Sequence, residues 1–106
     1  MTVTITQRTG TEGVIVRAVG DIDLASAPVV KARLAEAMRE AVETALVLDL
    51  SDVRLIDDVG VGLLLGVRRS LRSTGAELSL VASNAVERAL TAFDVYGLFS
   101  IVAPVD

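Results

Sequence analysis

Residues 54–70 read RLIDDVGVGLLLGVRRS: two adjacent acids, three spaced glycines, an aliphatic block and paired arginines. Adjacent carboxylates at 57 and 58 open three chemistries. A hard cation site takes about six or more oxygen ligands, and only Asp21, Asp23, Asp49 and Asp52 lie near enough in topology to add theirs. An aspartyl-phosphate site needs a lysine after the last strand, and Lys31, the sole lysine, falls inside a predicted helix. A carboxylate pair working on a glycoside needs an open sugar cleft flanked by aromatics, and aromatics are 3% of the chain. The chain also has no His and no Cys, which removes the commonest general base, the commonest metal ligand and all thiol chemistry. No catalytic residue, cofactor or metal is therefore expected. The simpler role is an N-cap. An Asp at a helix start accepts a bond from an orphan backbone N–H and suits the positive end of the helix dipole. Arg68, Arg69 and Arg72 then fall at the other end, where cations are favoured. One acid suffices for capping, so the second is left over.

The glycines are spaced Gly60-x-Gly62-x-x-x-Gly66, which is neither a dinucleotide fingerprint nor a P-loop. A helical glycine costs about 1 kcal/mol relative to Ala. Three in seven residues predict a close approach, either to a sheet or to a partner surface near Gly60 and Gly62.

The elements that must carry these residues follow from periodicity. TVTITQR (2–8) alternates and reads as an edge strand, TGTEG (9–13) as a turn and VIVRAVG (14–20) as a second strand, making a hairpin. DIDLASAP (21–28) is a loop into a helix at about 28–43, with Ser26 as cap, Pro28 in the first turn and Val30, Leu34, Ala37, Met38 and Ala41 as its apolar stripe. ALVLDL (45–50) fits a buried parallel strand. The segment 51–58 connects it to a helix at 59–74. A strand at 76–82 follows Gly75. Asn84 starts a helix with Glu87 in a capping-box pattern and a stripe of Val86, Leu90 and Phe93. LFSIVA (98–103) reads as a last strand. The order β-β-α-β-α-β-α-β predicts an α/β fold: one domain over 1–106, with a mostly parallel sheet and an N-terminal antiparallel hairpin. Functional loops in such a sheet lie beyond the carboxyl ends of its strands, here 20–26, 51–60 and 82–85.

Composition narrows the partners. A net charge of −4 and so few aromatics argue against nucleic-acid binding. The longest apolar run, Val59–Val67, has nine residues where a bilayer needs about twenty. The N-terminus lacks the basic and apolar regions of a signal peptide. A cytoplasmic protein with no membrane insertion is expected. Hydrophobic residues, at 52%, supply an aliphatic core.

Four segments, taken in order, resemble the STAS domain, the module shared by sulfate transporters and bacterial anti-sigma factor antagonists. GDID (20–23) is similar to that family's Gly-acid-aliphatic-Asp element. LVLDLSDVRLID (46–57) is similar to its central strand, DDVGVGLLLG (57–66) to its Asp-Ser-Ser/Thr-Gly motif and helix, and VERALTAFDVYGLFSI (86–101) to its closing helix. The chain length points to the stand-alone antagonist branch. The resemblance implies a non-enzymatic partner switch. The antagonist binds an anti-sigma factor that is also a serine kinase and so frees the sigma factor. Phosphorylation of the Ser after the motif Asp dissolves the complex, and a phosphatase resets it. Mapped onto this chain, Asp57 matches the motif Asp and Gly60 the motif Gly, while Asp58 occupies the phosphoacceptor position and Val59 the second hydroxyl position. Asp58 has no hydroxyl, so the switch is missing, fixed or moved to Ser51, Ser70, Ser73, Thr74 or Ser83. The expected partner surface comprises Asp21, Asp23, Asp57, Asp58, Val59, Gly60 and Gly62, and its acidity predicts a basic patch on the partner. The alternative is a STAS subunit of another assembly, such as a lipid-transport ABC complex or a stressosome-like scaffold.

Overall fold

A computed structural model describes residues 3–10, 13–41 and 44–104. The N-terminal hairpin pairs β1 (Val3–Gly10) with β2 (Gly13–Ile22), antiparallel, from Val3 opposite Gly20 to Gly10 opposite Gly13. Helix α1 (Ala27–Glu40) leads to β3 (Ala45–Ile56), α2 (Asp58–Arg72) to β4 (Glu77–Ala82), and α3 (Asn84–Ala92) with a 3-10 turn at Tyr96–Leu98 to β5 (Ser100–Ile101). The five strands lie in sequence order across one sheet, and every pair after the hairpin is parallel. The mixed α/β architecture and its element order are those the periodicity predicts.

Strand alternation makes the core. Val14, Val16 and Ala18 of β2 are buried with Leu46, Leu48 and Leu50 of β3 and Leu80 of β4. Onto them α1 packs Val30, Leu34 and Ala37, α2 packs Val61, Leu64, Val67 and Leu71, and α3 adds Val86 and Leu90. Each buried Val or Leu among them stabilises by about 1.5–3 kcal/mol relative to an exposed side chain. The space left between α1, α2 and the sheet, lined by Val16, Ala18, Leu34, Leu48 and Leu64, is only about 10 Å³, too small for a ligand.

Several local expectations are corrected. The strand expected at 45–50 runs on to Ile56, taking in most of the segment read as a connector. It does so because β2 continues to Ile22 and supplies partners: Val19 opposite Asp52, Gly20 opposite Val53, Asp21 opposite Leu55 and Ile22 opposite Ile56, across two register shifts. The polar residues of SDVRLI hid a strand that has only one neighbour there. Ser83, not Asn84, caps α3: its hydroxyl accepts from the Val86 N–H at 3.1 Å, and Glu87 instead accepts from the Tyr96 hydroxyl at 3.4 Å, so no capping box forms. Phe93 is half exposed because α3 ends before it. The last strand shrinks to two residues, preceded by the 3-10 turn and by Asp94 at φ 59°. Residues 11–12 of the expected first turn, Thr2 of the first strand and the expected helix end at 42–43 lie outside the described residues.

Candidate functional site

The loop after β2 and the start of α2 are tied together by one carboxylate. Asp57 has extended backbone geometry and caps α2: Oδ1 accepts from the Gly60 N–H at 3.0 Å. Its second oxygen, Oδ2, accepts from the Leu24 N–H at 3.1 Å. Its own N–H donates to the Ile22 carbonyl at 3.3 Å. Asp57 thus satisfies a helix-end donor and pins the 22–26 loop beside it.

That loop is braced a second time, by Ser26. Although Ser26 occupies the N-cap position of α1, its side chain makes no cap bond, against expectation. The hydroxyl donates instead to the Asp21 carbonyl at 2.9 Å and accepts from the Asp23 N–H at 3.0 Å. Asp23 Oδ1 in turn accepts from the Ser26 N–H at 3.0 Å. The residue is buried, so its hydroxyl is committed to holding the turn. Gly20, at φ 119° beside the second register shift, lets β2 take that irregularity two residues before it ends, where a side chain would be strained.

The expected surface residues are brought together unevenly. Asp58 is exposed in the first turn of α2, where the helix dipole favours its charge. Asp23, Asp57 and Val59 are partly exposed, and Gly62 is exposed. Asp21 is different: only 6% exposed within β2, it belongs to the scaffold of the loop and is not available as a contact. Gly60 is buried too. A Cβ there would lie 2.6 Å from Ile56 Cγ1 and 2.7 Å from the Ile22 carbonyl oxygen, so this glycine lets α2 settle on the ends of β2 and β3. The expected close approach is confined to it, because a Cβ at Gly62 or Gly66 would meet nothing within 4 Å. The surface residues that sequence reasoning missed are apolar. Leu24, 72% exposed, is held beside Asp57 by its own N–H, and Leu55 and Val29 are also exposed. The signal in the sequence is a large aliphatic residue, Leu24, in the short loop between Asp23 and Ser26.

A second polar cluster lies on β2 and β3. Arg17 donates to Asp49 Oδ2 at 3.0 Å and also pairs with Asp52, and Ser51 donates its hydroxyl to Asp49 Oδ1 at 2.6 Å. Burial raises the Asp49 pKa, but the Ser51 and Arg17 hydrogen bonds outweigh it and hold the carboxyl below its ordinary value. The same Arg17 bonds to Asp49 and Asp52 raise the Arg17 pKa and keep its guanidinium charged. The cluster spans the first β2–β3 register shift and ties the two strands across it. Among the described residues no group of three or more acids is arranged to hold a metal ion, and no helix is long and apolar enough to cross a membrane.

The family model described as STAS domain matches residues 2–106. The chain is 32% identical over 83 residues to the anti-sigma-B factor antagonist of Bacillus subtilis (strain 168), covering 78% of this chain and 72% of that protein. Its fold is similar to the crystal structure of an anti-sigma factor antagonist from Mycobacterium paratuberculosis, with a TM-score of 0.80 at 23% identity, covering 97% and 86% of the two chains. It is also similar to the phosphorylated form of the Bacillus cell fate determinant SpoIIAA, with a TM-score of 0.73 at 21% identity and coverage of 97% and 93%.

Proposed function

The chain belongs to the STAS domain family and is anti-sigma factor antagonist-like, and from that premise we propose that it binds an anti-sigma factor with serine kinase activity as one arm of a partner switch controlling transcription. The contact surface in this reading is the start of α2 with the loop pinned to it: Asp23, Asp57, Asp58, Val59 and Gly62, with Leu24 as its apolar component and Asp21 and Gly60 beneath. The observation that carries the reading is Asp58. It is exposed, one residue after the cap, where the family pattern places the phosphoacceptor serine. A phosphoserine would bring a charge of about −1.5 to −2. Asp58 brings a permanent single charge on a shorter side chain, held where phosphorylation of a hydroxyl cannot occur. We therefore read it as a fixed, weaker mimic of the released state: the charge must be desolvated whenever the partner closes over it.

Calorimetric titration of a cognate anti-sigma factor into wild type and Asp58→Ser tests this. The serine variant should bind at least about tenfold more tightly, a gain of about 1.4 kcal/mol, and should become a substrate of the kinase. Equal binding with no gain of phosphorylation would overturn the proposal.

A further inference from the structure

The surface at the start of α2 does not use the arginines at its end. We propose that the groove between the last two turns of α2 and residues 98–100 docks an acidic, leucine-bearing peptide segment of a second protein partner. The groove is an open depression of about 540 Å³, continuous with a smaller one, and is lined by Leu65, Arg68, Arg69, Arg72, Leu98 and Phe99. No carboxylate among the described residues lines either part. Among the described residues none of the three arginines is in an ion pair, whereas Arg17 is in two. Compensation of the helix dipole accounts for Arg69 and Arg72 in the last turn, but not for Arg68. Arg68 is already ordered, since its Nε donates to the Leu98 carbonyl at 2.8 Å. That bond leaves the two terminal nitrogens, the fork that grips a carboxylate bidentately, and lowers the entropy lost on binding.

The floor decides between occupants. Leu98 is 47% exposed, and Leu65 beside it in the lining is partly exposed. Guanidinium groups over exposed apolar side chains fit acids interspersed with aliphatic residues. A nucleic acid would need a broader basic face and stacking rings, and the chain as a whole carries −4. At about 1.5 Å per residue the three arginines lie about 15–21 Å along α2 from Asp58, so both surfaces can be occupied together.

Fluorescence anisotropy with a labelled synthetic peptide of alternating Glu and Leu pairs tests the groove on the full chain. Saturable binding is expected at low salt, weakening at least tenfold in high salt. Arg68→Ala and the double variant Arg69→Glu/Arg72→Glu should each weaken it at least tenfold, with circular dichroism confirming that they fold. Arg68→Lys should fall between, because it keeps the charge and loses the fork. Asp58→Ser should leave it unchanged. No binding at low salt, or binding indifferent to the arginine variants, would refute the proposal. So would tighter arginine-dependent binding of a single-stranded oligonucleotide or of phosphatidylserine vesicles, or self-association in sedimentation that the same variants abolish.

Discussion

An acidic cap at 57 or 58 was legible from residue type and place, but that Asp57 is the one that caps was not, nor was its second bond, because Leu24 is 33 residues away and only the fold brings them together. The two bonds can be separated by substitution. Asp57→Ala removes both acceptors and should cost about 2 kcal/mol, in line with the loss of a strong cap and a loop hydrogen bond. Asp57→Asn keeps one oxygen for the Gly60 N–H, but its amide NH2 cannot accept from Leu24, so the cost should be about half. Urea midpoints of the three proteins check this, and equal losses for Ala and Asn would show that the cap bond contributes nothing. The glycines teach the same lesson with the opposite sign. Gly60, Gly62 and Gly66 look alike in sequence, yet only Gly60 meets the sheet. Gly60→Ala should destabilise by about 2 kcal/mol through overpacking. Gly62→Ala, in open space within the helix, should stabilise by about 1 kcal/mol. If Gly62 faces the anti-sigma factor, that more stable variant should nevertheless bind it less well, a combination that a purely structural role would not give.

At the scale of elements, apolar periodicity read the helices and the inner strands well, because their buried faces recur at the spacing of a helix or a strand. It failed where a strand lost a neighbour. Beyond Leu50 and Ala82, the last β3–β4 pair, β3 bonds only to β2, and its outward residues are then free to be polar. The Arg17–Asp49–Ser51–Asp52 cluster sits at that transition, and the Asp49 pKa makes it testable. A carboxyl whose folded pKa lies below its ordinary 3.8 contributes stability that is complete above the unfolded value. That contribution is lost as pH falls through the lower, folded value. Wild type should therefore lose stability below about pH 4 more steeply than Asp49→Asn, which has no proton to gain. Asp49→Asn should be the less stable protein at neutral pH, and the two curves should converge in acid. Denaturant unfolding across that range measures both. Parallel curves would mean that Asp49 holds the strands no better charged than neutral. Because Arg17 is substantially exposed, its pairs are screened by solvent and the effect should be modest.

At the scale of the whole molecule, the sequence shows acids and arginines at opposite ends of one helix, but not which loop joins the acidic end. The fold turns α2 into an axis with Asp57 and Asp58 at one end, beside Asp23, and Arg68, Arg69 and Arg72 at the other. A small protein with separated charge of this kind orients its partners before contact, and such steering acts on the association rate. Two of the three acids at the start of α2 already accept backbone hydrogen bonds within the chain, Asp57 from Gly60 and Leu24 and Asp23 from Ser26. Asp58 is the most exposed of them and should supply most of the long-range field. Raising ionic strength from about 0.1 M to 1 M shortens the screening length from about 10 Å to about 3 Å. The association rate with a basic anti-sigma factor surface should then fall at least tenfold, while the dissociation rate changes little. Asp58→Ser should separate the two roles of this residue. It should flatten the salt dependence of association, because the main steering charge is gone, and slow dissociation, because that charge no longer has to be desolvated in the closed interface. Stopped-flow mixing at several salt concentrations resolves both rates. If association is indifferent to salt in wild type, the partner does not read the acidity of this surface, and the contact must rest instead on Leu24 and the apolar residues around it.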